Sequence, residues 1–476
     1  MNHTRDLAPI TTSGFFALIL LVSVSGSSLA PPANNTRNSV SFYHQIKPIL
    51  QTRCQGCHQP NVRSGHLMLI SYGDFLKGGA FGPGFVKGHP EKSLVMGYLH
   101  GTPELMPQGG PALSAAQIAL FQRWIAEGAP NDTPAEHSAY SSSHPPVYNS
   151  PPVITALAYS PDGKTLACAA YHETVLINTE TDAIRARLIG DSQKITSLAF
   201  STNGKMLAVV GGTPARFGEI EIWDPDTDKL LNRFRLTYDT LFGGSFSKDG
   251  SHISVGCADN SVRVLDAATG RQIMKLDNHS DWVFGTFFSR DGKYVVSGGR
   301  DEALKLTEVN TGSFIDDINT HTSSILSLVR RPGQDQALIG GGDGIPRLYQ
   351  VFRTAARTMN QEDHNLIHEY ERQPGIISDL AFQPGGSLFA VSTVLGSVRL
   401  YDTDSGKKAL HLPRVPDAVF ALAFSPDGKL LATAGIDGHV RIYNIPSGSL
   451  SKSFVPVPMS KVTQTALKTN EAEEEE

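Results

Sequence analysis

Between residues 151 and 458 the chain alternates short apolar runs with tight polar turns, and it does so seven times. The turns are Ser160-Pro161-Asp162-Gly163, Ser201-Thr202-Asn203-Gly204, Ser247-Lys248-Asp249-Gly250, Ser289-Arg290-Asp291-Gly292, Arg331-Pro332-Gly333-Gln334, Gln383-Pro384-Gly385-Gly386 and Ser425-Pro426-Asp427-Gly428. Their fourth positions step by 41, 46, 42, 42, 52 and 42 residues. An apolar run follows each turn, as in Leu166-Ala167-Cys168 and Leu431-Ala432-Thr433. A second turn often carries an aspartate (Asp259, Asp301, Asp343, Asp437), and a third run ends in Trp223-Asp224, Leu265-Asp266, Tyr401-Asp402 or Tyr443-Asn444. Short runs bounded by turn residues are strands, and a period of about 40–45 residues is that of four-stranded propeller blades. The pattern predicts a seven-bladed all-β propeller over 151–458. Extra residues near Thr213–Gly218 lengthen the second unit, and about ten near Phe352–Pro374, read with helical character, lengthen the fifth.

A different period governs residues 40–134. Phe42, Ile46, Ile49 and Leu50 mark one face of a helix over Ser41–Arg53. Ile118, Phe121, Trp124 and Ile125 mark another over Ser114–Glu127, with Ser114 and Gln117 as a capping box and Gly128 as its stop. This predicts a small all-α domain ahead of the propeller. Residues 31–39 and the Pro/Ser-rich stretch 135–150 read as linkers. Residues 459–476 end in Glu and read as an acidic disordered tail. Phe15–Val22 is an unbroken apolar run too short to span a bilayer, and Ser28-Leu29-Ala30 offers a cleavage site, so 1–30 read as a signal peptide. The protein is then periplasmic or otherwise exported, and anchored if the signal is not cleaved.

Charge removes one class of function. Lys and Arg number 41 against 46 Asp and Glu, a net charge of −5, and five of the last six residues are Glu. The rest of the chain is therefore neutral, which argues against a nucleic-acid partner. Four cysteines in 476 residues make no disulfide framework.

Two of those cysteines carry the chemistry. Cys54-Gln55-Gly56-Cys57-His58 is C-x-x-C-H, in an exported chain the attachment signature of c-type haem. Two thiols one turn apart each add to a haem vinyl group, and the adjacent His58 reaches the iron as proximal ligand. A structural zinc site would want two more ligands at paired spacing, and a redox dithiol a βαβ setting; neither surrounds the motif. Met106, in Leu105-Met106-Pro107, is the candidate distal ligand, with Met68, Met96, His66, His89 and His100 as rivals. Other tempting motifs take plainer readings. Gly340–Gly344 stands where the repeats place a hairpin turn. His364 and His368 lack the glutamate of a zinc protease. Cys168 and Cys257 fall on interior strands.

The first region resembles the planctomycete-type cytochrome c domain. The likeness rests on the haem pentad, Ser64-Gly65-His66-Leu67-Met68-Leu69, Gly78-Gly79, Phe81-Gly82-Pro83-Gly84, Ser93-Leu94, Met106-Pro107, Leu113-Ser114 and Trp124-Ile125 with Gly128-Ala129. It implies that Met106 is the distal ligand. Pro107-Gln108-Gly109-Gly110 departs from the family where a second proline is common. The second region resembles the WD40 halves that follow such cytochromes, through Asp281-Trp282-Val283, Gly299-Arg300-Asp301 and Gly342-Asp343-Gly344-Ile345-Pro346. It implies architecture and no catalytic residues.

These readings lead to an exported electron-transfer protein with one covalent haem c per chain and a propeller that docks redox or other protein partners in the periplasm. Electron transfer and scaffolding are favoured over substrate conversion. Two alternatives stand beside it. One is an oxidoreductase with a propeller-borne active site, which would need residues such as His172, His321 and His411 around a central cavity. The other is a haem-based sensor, which would need an open distal side.

Overall fold

The computed structural model describes residues 39–59, 62–108, 110–133, 140–319, 323–353 and 365–460. The expected signal peptide, most of the first linker, His321, His364 and the tail beyond Ser460 lie outside them. No helix among the described residues is long and apolar enough to cross a membrane. Contacts divide the chain into two compact units. One holds the chain up to Pro48 together with Phe85–Asp132, and the other holds Ile49–Gly84 together with the chain from Thr133 onward.

The first unit is built around aromatic side chains. A π-helical turn, Phe42–Ile46, runs into helix α1 (Lys47–Arg53); helix α2 (Tyr72–Lys77) belongs to the second unit, and helices α3 (Leu94–Leu99) and α4 (Ala115–Ala126) to the first. The Trp124 ring lies 5.4 Å from Phe42 and 4.8 Å from Phe85, and its Nε1 donates to Pro130 O at 2.9 Å. Ser114 caps α4 as a box: Gln117 N donates to Ser114 Oγ and Ser114 N to Gln117 Oε1. The helix period places Phe121, Trp124 and Ile125 inside, as the sequence requires.

Residues 157–454 form seven four-stranded antiparallel sheets, each made of consecutive strands. The innermost strands are Leu157–Tyr159, Lys194–Phe200, Leu241–Phe246, Val283–Phe288, Ile325–Arg330, Ile377–Phe382 and Val419–Phe424. The second strand of each blade is buried almost throughout, as in Leu388–Thr393 and Leu430–Gly435. Such strands read as continuous apolar runs because both faces of a blade are covered by neighbours. One hydrophobic cluster fills each of the seven interfaces between adjacent blades.

The repeated turns show why their residues recur. In the first, Ser160 Oγ donates to Asp162 Oδ1 at 2.6 Å, and the same carboxylate accepts from Lys164 N. Gly163 then takes a φ of 75°, which a side chain would strain. In blades 5 and 6 the positive φ moves one residue earlier, to Gly333 and Gly385, each after a proline. That is the type II pattern, so Gln334 and Gly386 are not the counterparts of Gly163 that their alignment suggests. The extra residues of blade 2 extend a hairpin between Leu207–Thr213 and Phe217–Asp224. In blade 5 residues 354–364 lie outside the described set, and Leu366–Glu369 is a strand, which corrects the helical expectation there.

No strand is exchanged between the first and last blades; the ring closes by other means. Ile154 N donates to Gly435 O at 2.9 Å, Tyr148 pairs in parallel with Met459, and Ser460 N donates to Tyr148 O. Tyr148, Ile154 and Val457 are buried in one cluster with residues of blades 1 and 7. The Tyr148 hydroxyl donates to the fully buried Glu173 at 2.7 Å, and Arg187 joins Glu173 to Pro146 O. The stretch read as a linker is therefore fixed to the propeller from Pro146 on. Tyr148→Ala should cost about 2–4 kcal/mol of stability, measured as a fall in the urea unfolding midpoint, because it opens a cavity and removes one of the donors to a buried carboxylate. Lys452→Ala, which removes a half-exposed pair with Asp182 across the same seam, should cost under about 1 kcal/mol.

Candidate functional site

The C-x-x-C-H motif leaves the end of α1 as a turn. Cys54 N and Gln55 N both donate to Leu50 O at 2.9 Å, and His58 N returns to Cys54 O at 3.2 Å. A short hairpin follows, His58–Gln59 against Val62–Arg63, and Leu69 N donates to His58 O. Cys54 is half-buried and Cys57 exposed, and both are free thiols. Burial pushes the Cys54 thiol up to about 11, so it is not the depressed thiolate of a redox dithiol. Among the described residues no three His, Cys, Asp or Glu side chains converge to hold a metal ion, so Cys54, Cys57 and His58 do not form a zinc-type cluster.

His58 is the unusual member. Its Nδ1 is buried and makes no hydrogen bond of acceptable geometry. Burial lowers its pKa, opposed by the nearby backbone of Ser64 and Leu67. A lowered pKa favours the neutral imidazole, the state in which a ring nitrogen can ligate a metal. Cys54, Cys57 and His58 lie in the second compact unit, whereas Met106 lies in the first, half-buried, with its N donating to Tyr98 O at 3.0 Å. Of its rivals, Met96 is buried, His66 and His100 are exposed, and His89 pairs with Glu91 at 2.9 Å.

The propeller encloses a second site. Its inner strands surround a cavity of about 1360 Å³. Side chains stitch those strands to one another: Thr155 donates to Ile195 O, Thr196 to Leu241 O and Thr286 to Gly243 O. Asp379 ties three blades together, accepting from Ser327 Oγ at 3.1 Å, Leu380 N at 2.9 Å and Leu422 N at 2.8 Å. Phe242, Phe284, Leu326 and Phe420 line the cavity. Each is the second residue of its innermost strand, a register the repeat shows once aligned. Phe242 packs on Phe284 at 5.1 Å and on Trp282 at 5.9 Å, and the Arg300 guanidinium lies over Trp282.

The end of the channel where these strands begin is apolar. Val283 pairs with Gly299, Ile377 with Thr393 and Val419 with Gly435, so Trp282, Ile376, Leu395 and Ile436 all lie on loops at that end. Each of the four is 39–48% exposed. A set of exposed aromatic and aliphatic side chains around one opening is the signature of a protein-docking face. Of the histidines expected around a propeller active site, His321 lies outside the described residues. Among the described residues neither His172 nor His411 lines the cavity, and His172 packs instead against Tyr140 and Tyr171.

The second-turn aspartates are structural. Asp259, Asp343 and Asp437 each grip an arginine four residues on, Arg263, Arg347 and Arg441, at 2.6–2.7 Å. Asp301 instead holds His279 Nδ1 at 2.9 Å, while His279 Nε2 meets Ser297 Oγ at 2.9 Å. This Ser-His-Asp array looks like a hydrolytic triad, but Ser297 is 1% exposed and no substrate reaches it. Sequence reading passed over His279 and Ser297, which are 18 residues apart and meet only across the blade. Gly344 closes the second hairpin of blade 5 with a φ of 73°, as expected of Gly340–Gly344. Cys168 and Cys257 are buried thiols, as expected, and burial raises both.

The model of the "WD domain, G-beta repeat" family matches residues 270–307 and 411–444, which fall in blades 3–4 and 6–7. The propeller is built of WD40 repeats. A curated relative, Protein groucho of Drosophila melanogaster, is 28% identical over 127 residues, 26% of this chain and 17% of its own. The chain thus matches only about a sixth of that relative.

The channel supplies a pH prediction. Burial raises the Asp379 carboxyl to about 6. The folded state then binds its proton more readily than the unfolded one, so this group's stabilisation is complete below about pH 4 and is lost as pH rises through 6. One pKa unit is about 1.4 kcal/mol, so the loss is on the order of 3 kcal/mol. Urea midpoints taken from pH 4 to 7 should show this fall in the native protein, and in Asp379→Asn the part due to this group should vanish.

Proposed function

We propose that this chain is an exported c-type cytochrome whose WD40 propeller docks its protein partner. Cys54 and Cys57 would hold haem c through two thioethers, His58 would be the proximal ligand and Met106 the distal one. The observation that carries the reading is the C-x-x-C-H turn with the buried, unpartnered His58 Nδ1. The half-buried Cys54, held as a neutral thiol, and the exposed Cys57 suit covalent attachment by a maturation system better than spontaneous oxidation. Bound haem supplies a one-electron couple, and a thioether opposite an imidazole raises its potential relative to two imidazoles.

The protein's own residues set the conditions for that chemistry. His58 is kept neutral by burial, so a ligating nitrogen is available without displacing a proton. In this reading the propeller serves docking. Its part is to present Trp282, Ile376, Leu395 and Ile436 around the opening, where a partner would bury them.

Co-expression with a c-type maturation system tests the reading. The mature protein should appear in the periplasmic fraction carrying haem that survives denaturation in SDS. Its spectrum should be low-spin with a Met–iron charge-transfer band, and unchanged by carbon monoxide. Cys54→Ser with Cys57→Ser should abolish covalent haem, and Met106→Ala should give a high-spin species that binds carbon monoxide at once. Haem-free protein from a competent maturation host, or a Met106→Ala spectrum like that of the native protein, would sink the corresponding assignment.

A further inference from the structure

Blade 6 breaks a charge pattern that its neighbours keep. In blades 3, 5 and 7 the second turn carries an aspartate that pairs with an arginine four residues on, at the start of the third strand. Blade 6 keeps the arginine there, Arg399 in the strand Val398–Asp402, but has Leu395 where the aspartate would stand. Leu395 follows Gly386 by 9 residues, as Asp437 follows Gly428, so the register is the same. The turn Val394-Leu395-Gly396-Ser397 contains no acid at all.

The loss shows in the bonds of Arg399. Arg263, its counterpart in blade 3, commits all three nitrogens: Nε to Ser261 Oγ, Nη1 to Leu236 O and Nη2 to Asp259 Oδ2. Arg399 makes one bond, from Nη1 to Glu371 Oε1 at 3.2 Å, and its Nε is buried without a partner. Glu371 comes from the loop between blades 5 and 6, and its other oxygen is shared by Lys408 Nζ and the Tyr401 hydroxyl. Gln373 belongs to the same network through Tyr401, at 2.9 Å; it is 4% exposed, and its Oε1 meets no donor. Arg414 adds a further cation, its Nε donating to Leu395 O at 3.0 Å. Leu395 itself is 48% exposed, on the apolar rim of the channel opening.

We infer that this rim takes a partner segment presenting a carboxylate, aspartate or glutamate, next to an apolar side chain. The carboxylate replaces the absent aspartate on Arg399, and the apolar side chain covers Leu395. The inference rests on the docking reading above and names the chemistry of the partner. The repeat itself shows which group suits the place, since carboxylates meet the equivalent guanidiniums at 2.6–2.7 Å in three other blades. The Arg399 side chain is 17% exposed, so its remaining donors are reached from solvent yet partly shielded from it. Charge-assisted bonds to a guanidinium are strong in such a seat, and an arginine beside exposed aliphatic groups has the composition of a binding hot spot. Lys408 and Arg414 favour an acidic segment and repel a basic one.

Selection of short peptides from a random phage-displayed library on the full, haem-loaded chain tests the inference. The selected peptides should carry Asp or Glu beside an apolar residue. Arg399→Gln should weaken their binding about ten-fold or more, read by fluorescence anisotropy of the labelled peptide. Exchanging the peptide's acid for its amide should do the same on the native chain, and this arm needs no variant to fold. Leu395→Asp, which restores the pair of the other blades, should abolish binding. Peptides lost in Trp282→Ala but kept in Arg399→Gln would leave the docking face standing and overturn the acidic partner; failure to select any peptide would overturn both. Removing residues 461–476 should leave the affinity unchanged, whereas a marked gain would assign the place to this chain's own Glu471–Glu476 and overturn the external partner. One readout needs no partner. Leu395→Asp should unfold at higher urea than Leu395→Asn, and the difference should vanish in an Arg399→Gln background. Equal midpoints would overturn the claim that Arg399 lacks its carboxylate.

Discussion

Every blade of this propeller is apolar on both faces, and that single property forces the ring to close. An open array would leave the outer faces of blades 1 and 7 in water, where Leu166, Val175, Ala432 and Ile442 now meet in one cluster. Closure with no exchanged strand places the burden on that cluster and on a few bonds beside it. Ile154, Tyr148 and Val457 supply the additional burial, and the parallel pairing of Tyr148 with Met459 holds the two ends of the ring together. Because Tyr148 precedes blade 1 and Met459 follows blade 7, their pairing binds the entry and the exit of the propeller to each other.

The innermost strands face a channel, and their inner edges carry no backbone partner. Threonine and serine hydroxyls take that place and link each strand to the next, while Asp379 does so for three blades at once. This arrangement explains the small polar residues within otherwise apolar strands. It also leaves the second position of each strand free to project toward the channel, where Phe242, Phe284, Leu326 and Phe420 stand. The bonds that lock the wheel do not consume the side chains at its opening.

The repeat embeds ionisable groups at three depths. At the turns, Asp249 and its counterparts are exposed and held well below the usual range by hydroxyl and amide donors. At the second turns, aspartates meet arginines four residues on and are neutralised locally. In the interior, Asp379 meets a serine hydroxyl and two backbone amides, and burial raises its carboxyl. Burial works against the Asp301 carboxylate too, but its bond to His279 leaves it lowered. Burial and the donors that meet a carboxylate together decide the direction of its shift.

Local features were legible in the chain itself. The number of blades follows from the seven turns, because each turn is set by a few consecutive residues and the hydrogen bonds among them. The capping box at Ser114 and the buried stripe of α4 are equally local, and the C-x-x-C-H spacing is a chemical signature before it is a structure. The helical reading of 366–369 failed because strand pairing with Arg347–Gln350, a long-range contact, overrode local pattern. The same limit hid His279 with Ser297 and the Asp379 junction. By itself the sequence determined which short segments form, since these depend on neighbours within a few positions. Only the tertiary structure decided where the ring closes, which side chains surround the channel and which carboxylates lose their water, because those outcomes depend on residues brought together from 12 to more than 300 positions apart.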